Sequence, residues 1–161
     1  MKLNLDTLPA GRSDLDVDAV YAIDPDEESV GEVAACGSLT VDNTDAMVVV
    51  GGTLQAEGTT DCDRCLAEFT LRYEAAVDIQ IVRTSQPAPD EELDTWILHQ
   101  ARGVIDLTAP LRESVVIALP QKRVCDDDCK GICAQCGANR NQTDCDCSQE
   151  QTDPRWDALP S

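Results

Sequence analysis

Eight of the nine cysteines stand in four close pairs: Cys62 with Cys65, Cys125 with Cys129, Cys133 with Cys136, and Cys145 with Cys147. Thiolate sulfur is a soft ligand, and a tetrahedral zinc with Zn–S bonds of about 2.3 Å holds its sulfurs roughly 3.8 Å apart. Two cysteines with two residues between them reach that separation across one tight turn. Cys133 and Cys136 do so, and Gly137 follows where a knuckle needs a residue that tolerates positive φ. Cys145 and Cys147 are closer in sequence and need a bent backbone. A single pair would be a weak signal, but four pairs are a strong one. A division that strands no pair puts Cys133, Cys136, Cys145 and Cys147 in one site, and Cys62, Cys65, Cys125 and Cys129 in the other. Spacing alone does not decide which pairs share an ion, so the expectation is one or two zinc ions. A closed Cys₄ site has no open coordination position and predicts structure rather than hydrolysis.

Other chemistries fit less well. Cys62-Asp63-Arg64-Cys65 has the spacing of a dithiol redox motif, which makes a cytosolic thiol redox protein or a redox-switched holdase the first alternative. Acidic Asp61 and Asp63 beside it should raise the thiol pKa values, with Arg64 as the counterweight. A redox motif also usually opens a helix after a strand, whereas this one falls between strands. The second alternative is a nucleic-acid-binding zinc ribbon. Such modules use basic stripes and stacking aromatics. Here Lys122, Arg123, Lys130 and Arg140 face Asp126, Asp127, Asp128, Asp144 and Asp146. Enzyme readings are thin. His99 is the lone histidine, with no nucleophile and base arranged around it in sequence, and reads as a surface or packed residue. Gly51-Gly52 lacks the Gly-Lys-Ser/Thr ending of a phosphate loop. The ninth cysteine, Cys36, reads as a small buried hydrophobe.

The elements that must position these cysteines come mostly from the first half of the chain. The chain has 161 residues, enough for one domain with a small appendage. Apolar residues make up 42% but aromatics only 3%, so the core must be built from Val, Leu, Ile and Ala, and metal would support it. Leu3, Leu5 and Leu8 suggest a short strand over 2–8. Leu15, Val17, Ala19, Tyr21 and Ile23 alternate with aspartates, which is strand periodicity. Asp24 to Glu28 reads as a turn or surface loop. Val30 to Arg83 reads as antiparallel strands, with turn residues at 42–45 and a bulge or sharp bend at Gly51-Gly52. Cys62 to Cys65 then lies at a hairpin tip, before the alternating run Phe69 to Ile81. Ser85 to Glu92 is a Pro-rich acidic loop, and Thr95 to Leu98 a further short strand. Asp106 or Thr108, with Pro110 in the first turn, starts a helix. Leu107, Leu111, Val115 and Ala118 give it one apolar stripe, and Pro120 stops it. The expected fold is α+β: an antiparallel curled β-sheet, one main amphipathic helix and a C-terminal cysteine-rich zinc knuckle. Residues 1–120 form the mainly β part, 121–147 the zinc-binding segment, and 148–161 a polar tail.

The charge constrains partners. Thirty-one Asp and Glu against 12 Lys and Arg give a formal net charge of −19. Each zinc bound by four thiolates would add a net charge of about −2. Such a surface repels nucleic acid at ordinary ionic strength. Lysine is confined to Lys2, Lys122 and Lys130, and an Asp-rich, Lys-poor surface also suits high salt. Met-Lys-Leu-Asn-Leu-Asp is not a secretory leader, and no apolar run approaches the length of a membrane span. The expectation is a cytoplasmic chain, where paired cysteines favour metal over disulfides.

Several motifs resemble one family. Cys62-Asp63-Arg64-Cys65-Leu66 is similar to its C-x-R-C-L motif. Ile105-Asp106-Leu107, Leu111-Arg112-Glu113 and Ala118-Leu119-Pro120 resemble its helix signature. Cys129-Lys130-Gly131-Ile132-Cys133, Cys136-Gly137 and Asn139-Arg140-Asn141 resemble its C-terminal cysteine run, and Asp153-Pro154-Arg155 its closing motif. This is the YceD family of large ribosomal RNA subunit accumulation proteins. The resemblance covers residues 61–69 and 104–156; the first sixty residues match only in general character. It implies a role in accumulation of 23S ribosomal RNA and in large-subunit biogenesis. It does not imply a biochemical mechanism. The acidic charge then favours contact with a basic ribosomal protein, or with a large-subunit assembly intermediate, over bare RNA.

Overall fold

The computed structural model describes residues 1–23, 31–83 and 96–147. The expected loops at 24–28 and 85–92, Thr95 and the tail with Asp153-Pro154-Arg155 lie outside the described residues. Four long strands run as an antiparallel meander: β1 is a short N-terminal strand (Lys2–Asn4), followed by the meander β2 (Gly11–Ala22), β3 (Glu32–Asn43), β4 (Met47–Asp61) and β5 (Glu68–Val82). At the far edge β6 (Trp96–His99) joins β5 in parallel, Ile79 pairing with Trp96 and Val82 with His99. The all-antiparallel expectation is therefore corrected at this edge. The chain between residues 83 and 95 is long enough for the return that a parallel pair requires. The five-stranded sheet is open, in the order β2-β3-β4-β5-β6. A second, two-stranded sheet pairs β1 with β7 (Val104–Asp106).

Alternation places the core. Val17 and Tyr21, Val33, Ala35, Leu39 and Val41, Val48, Val50 and Leu54, and Ala75, Val77, Ile79 and Ile81 are all buried in one cluster. Their neighbours of opposite parity mostly face solvent, as expected of an antiparallel sheet with one covered face. Leu3, Leu5 and Ile105 from the small sheet, with Leu107, Leu111 and Val115, complete that cluster. Helix α1 (Thr108–Ile117) is held to the sheet by its apolar stripe and by Tyr73, whose hydroxyl donates to the Val115 carbonyl at 3.0 Å. The N-cap position falls on Leu107 and carries no side-chain cap, in place of the expected Asp106 or Thr108; Asp106, one residue earlier, accepts the Thr108 N–H at 2.9 Å and the Thr108 hydroxyl at 2.6 Å on Oδ1. Arg112 Nε donates to the Ala22 carbonyl at 2.9 Å, tying the helix to the end of β2.

Two expectations about β3 and β4 change. No bulge residue is inserted at Gly51-Gly52: the β3–β4 register is the same from Val33↔Gly58 to Asn43↔Val48. Instead the pairing lapses between Cys36↔Gln55 and Thr40↔Gly51. A Cβ on Gly37 would lie 3.1 Å from Leu54 Cδ2, and one on Gly52 would lie 3.1 Å from Leu39 Cδ2. Each glycine thus makes room for a leucine of the opposite strand where the ladder pairing lapses. Cys36 is exposed, not buried. The buried residues of β3 are Val33, Ala35, Leu39 and Val41, so the even-numbered Cys36 falls on the solvent side.

Candidate metal centres

The β4–β5 hairpin ends at the Asp61↔Glu68 pair and turns through Cys62 to Ala67, at the tip the alternation predicted. Inside the turn the Cys62 N–H donates to the Ala67 carbonyl at 2.9 Å, and the Leu66 N–H to the Cys62 carbonyl at 2.9 Å. Cys133 to Ala138 repeats the scheme: Cys133 N–H to the Ala138 carbonyl at 2.8 Å, Gly137 N–H to the Cys133 carbonyl at 2.9 Å. The residue after the second cysteine must be left-handed in both. Gly137 takes φ 72°, and Leu66 takes φ 57° with its side chain 66% exposed. A left-handed L-residue costs on the order of 1–2 kcal/mol, so Leu66 is the one strained position of this pair of turns.

The remaining cysteines arrive from the chain beyond α1. Asp63 clamps that chain to the hairpin: its N–H donates to the Arg123 carbonyl at 2.8 Å, and its Oδ2 accepts the Arg123 N–H at 2.6 Å. Cys125 Sγ then lies 3.6 Å from Cys65 Sγ. The chain turns, with the Cys129 N–H on the Asp126 carbonyl at 3.1 Å and the Asp128 N–H on Asp126 Oδ1 at 2.8 Å. Arg64 Nη1 holds the far side of the turn through the carbonyls of Asp127 at 2.9 Å and Cys129 at 3.1 Å. Cys129 Sγ ends 3.9 Å from Cys62 Sγ. Cys62, Cys65, Cys125 and Cys129 form one group and Cys133, Cys136, Cys145 and Cys147 another, the sulfurs of each within 4.8 Å of one another. Each tetrad could hold a metal ion. Of the three ways to join four close pairs two by two, this is the one expected above. His99 belongs to neither group. It is half-buried, and its ring nitrogens have no hydrogen-bond partner among the described residues.

The electrostatics of the tetrads are uneven. Burial raises the Cys62 thiol, but N–H donors of Cys125, Arg64 and Cys65 outweigh it and leave the thiol lowered to about 6. Cys125 is pushed up to about 12 by loss of hydration at its sulfur and by the thiols of Cys62, Cys65 and Cys129. In the second tetrad the N–H groups of Cys136 and Gln135 lower Cys133 to about 6, while Cys136 and lost hydration push Cys147 up to about 12. The expected upward shift at Cys62 from Asp61 and Asp63 is thus overturned by backbone donors that only the folded turn supplies. Four thiolates this close repel one another, so full deprotonation of either tetrad calls for a cation among the sulfurs.

Sequence reasoning passed over the residues that hold the ligands. Asn141 Nδ2 donates to Cys129 Sγ at 3.3 Å, and its Oδ1 accepts the Lys130 N–H at 2.8 Å. The first cause of the lowered Cys129 thiol is this amide. Asn141 stood in the family-like motif, but nothing in the spacing tied it to Cys129. The clamp between Asp63 and Arg123 had no sequence signal at all.

Fold and site together define a sheet protein whose hairpin tip and C-terminal segment carry two cysteine tetrads. A family model described as large ribosomal RNA subunit accumulation protein YceD matches residues 50–161, and the chain belongs to that family. Uncharacterized proteins of Mycobacterium tuberculosis and Mycobacterium bovis are 30% identical over 121 residues, covering 75% of this chain and 58% of theirs. The chain therefore spans little more than half the length of these relatives. The Arabidopsis thaliana protein named large ribosomal RNA subunit accumulation protein YCED homolog 1, chloroplastic, is 37% identical over 73 residues, covering 41% of this chain and 23% of that one. No solved structure matches the chain.

Proposed function

We propose that this protein is a non-catalytic zinc-binding factor that assists accumulation of 23S ribosomal RNA and biogenesis of the large ribosomal subunit in the cytoplasm. Membership of the YceD family, a family named for large-subunit RNA accumulation, supports the process. The grouping of eight sulfurs into two tetrads supports the metal, and it is the observation that carries the reading. Sulfur separations of 3.6 and 3.9 Å bracket the roughly 3.8 Å of a tetrahedral zinc thiolate site. Cys62, Cys65, Cys125 and Cys129 would hold one ion, and Cys133, Cys136, Cys145 and Cys147 the other. Bound zinc would neutralise the crowded thiolates and fasten the segment 121–147 to the sheet of 1–120, leaving 148–161 as a polar tail. With four sulfurs on each ion no position is open for substrate.

The proposed partner is a basic ribosomal protein or a large-subunit assembly intermediate displaying one, since a net charge of −19 opposes direct RNA binding. The redox reading with Cys62 and Cys65 rests on the lowered Cys62 thiol. Against it, each of these sulfurs also sits within 3.9 Å of a cysteine from the C-terminal segment, a tetrad rather than a dithiol pair. Native mass spectrometry of protein purified under reducing conditions, with metal analysis, tests the proposal: two zincs per chain are expected. A metal-free chain in which Cys62 and Cys65 oxidise reversibly would replace it with redox chemistry. Pulldown then tests the partner, with capture by an isolated basic ribosomal protein expected to exceed capture by bare ribosomal RNA at equal salt.

A further inference from the structure

The two tetrads are not independent. Resting on the metal reading above, we infer that Asn141 couples them, so that filling Cys133, Cys136, Cys145 and Cys147 raises the affinity of Cys62, Cys65, Cys125 and Cys129 for metal. The first tetrad takes two cysteines from the hairpin tip, and the Asp63 clamp carries Cys125 to them. Cys129 is the ligand that the C-terminal loop helps to hold. That loop lies between Cys136 and Cys145, inside the span that the second tetrad closes. Asn139 Oδ1 accepts both the N–H and the side-chain amide of Asn141, at 2.9 and 3.0 Å, which aims the amide. The aimed Nδ2 reaches Cys129 Sγ at 3.3 Å, and Oδ1 fixes the Lys130 N–H at 2.8 Å. The Arg140 N–H donates to the Gly131 carbonyl at 2.9 Å, and the Ile132 N–H to the Arg64 carbonyl at 2.9 Å. The loop of one site is therefore hydrogen-bonded to a ligand of the other, Cys129, and to the backbone that follows it at Lys130 and Gly131.

The direction of loading follows from chain connectivity. The second tetrad closes a short local loop, whereas the first joins hairpin to C-terminal segment across a long stretch of sequence, and closure entropy grows with loop length. Local closure orders residues 137–144, delivers Asn141, and leaves less to be ordered when the first site fills. Linkage makes the effect reciprocal. Removing a partner of a metal ligand typically costs 10–100-fold in metal affinity, so a tenfold effect is the scale to look for.

The test is a cobalt(II) titration of the full chain, reading thiolate-to-cobalt charge transfer and, in parallel, ion count by native mass spectrometry. Circular dichroism of the sheet checks that each variant is folded. In the wild-type chain the second tetrad should fill first and the first tetrad follow. Asn141→Ala should still bind two ions, with first-site affinity lowered about tenfold and the charge-transfer band moved to lower energy, because Cys129 loses an N–H donor. Asn141→Gln, which keeps the amide, should recover part of the affinity. Cys145→Ser with Cys147→Ser should weaken the first site by a similar factor, and adding Asn141→Ala to that pair should weaken it no further. Wild-type affinity at the first site in Asn141→Ala, or a first site indifferent to loss of Cys145 and Cys147, overturns the coupling while leaving the metal reading intact. A wild-type chain that takes up no cobalt overturns the metal reading itself, and the coupling with it.

Discussion

At the scale of single residues, the cost of the cysteine turns is concentrated at two positions. Leu66 is left-handed and exposed in a turn whose twin uses glycine. Leu66→Gly relieves that strain but frees the unfolded chain, and the two effects oppose each other at about 1 kcal/mol apiece. Denaturant unfolding should therefore show a change within about 1 kcal/mol, neutral or stabilising. A large destabilisation would mean that the exposed leucine makes a contact essential to the fold. Gly131 is the opposite case. It has φ +71°, and a Cβ there would lie 2.9 Å from the Arg64 carbonyl oxygen that accepts the Ile132 N–H. Gly131→Ala should destabilise the C-terminal segment by roughly 1–3 kcal/mol and weaken metal at Cys129 more than at Cys133. Equal metal affinities at both sites would refute the close approach.

At the scale of elements, Asp106 holds Thr108 at the start of α1. Its bonds to the Thr108 hydroxyl and N–H hold the carboxyl down, to about 2 from an ordinary 3.8. A depressed folded pKa means that this carboxylate's contribution to stability is present above pH 3.8 and is lost as pH falls through about 2. Asp106→Asn should flatten the acid-unfolding profile in that window, and should lower the midpoint at neutral pH by weakening the two bonds from Thr108 at the start of α1. If wild type and variant show the same slope between pH 4 and 2, Asp106 is not the group that titrates. The other element-level joint is Asn43, which donates from Nδ2 to the carbonyls of Leu8 at 3.1 Å and Pro9 at 3.0 Å and accepts from Arg83 at 2.9 Å. Loss of this nearly buried amide in Asn43→Ala should cost roughly 1–3 kcal/mol, read as a lower denaturant midpoint.

At the scale of the molecule, the described residues form two cores. The large apolar cluster spans the sheet, the small β1–β7 pair and α1, while Cys62, Cys65 and Cys129 form a separate cluster with Ala67, Phe69 and Val124. The first tetrad thus lies in the second core, and the sheet buries its apolar face without it. Chelation should abolish hydrogen-exchange protection over 62–67 and 121–147 while β3, β4 and β5 keep theirs. Global unfolding on chelation would show that the sheet is not stable alone. The net charge of −19 acts at the same scale. Capture of a basic partner should weaken steeply as salt rises, since long-range attraction is screened over about 8 Å at physiological ionic strength.

Much of this was legible in the chain itself. Period-two alternation marked β2 to β5, because a sheet with one covered face sorts its residues by parity. The stripe from Leu107 to Val115 marked α1, since helical neighbours recur every three or four residues. Close cysteine pairs marked both turns, but four pairs can join two by two in three ways with none stranded, and only the fold selects one. These are local signals, carried by residues near one another in sequence. The parallel β6, the lapse in pairing at Gly37 and Gly52, and the exposure of Cys36 were not legible, since each depends on what a neighbouring strand presents. The lowered Cys62 thiol and the link from Asn141 to Cys129 also required the fold, because their donors come from backbone turns and from a second loop. Residue types and spacing determined which chemistry the chain could do. Tertiary structure decided which sulfurs meet and which side chains hold them there, because contacts between segments distant in sequence exist only once the chain has closed on itself.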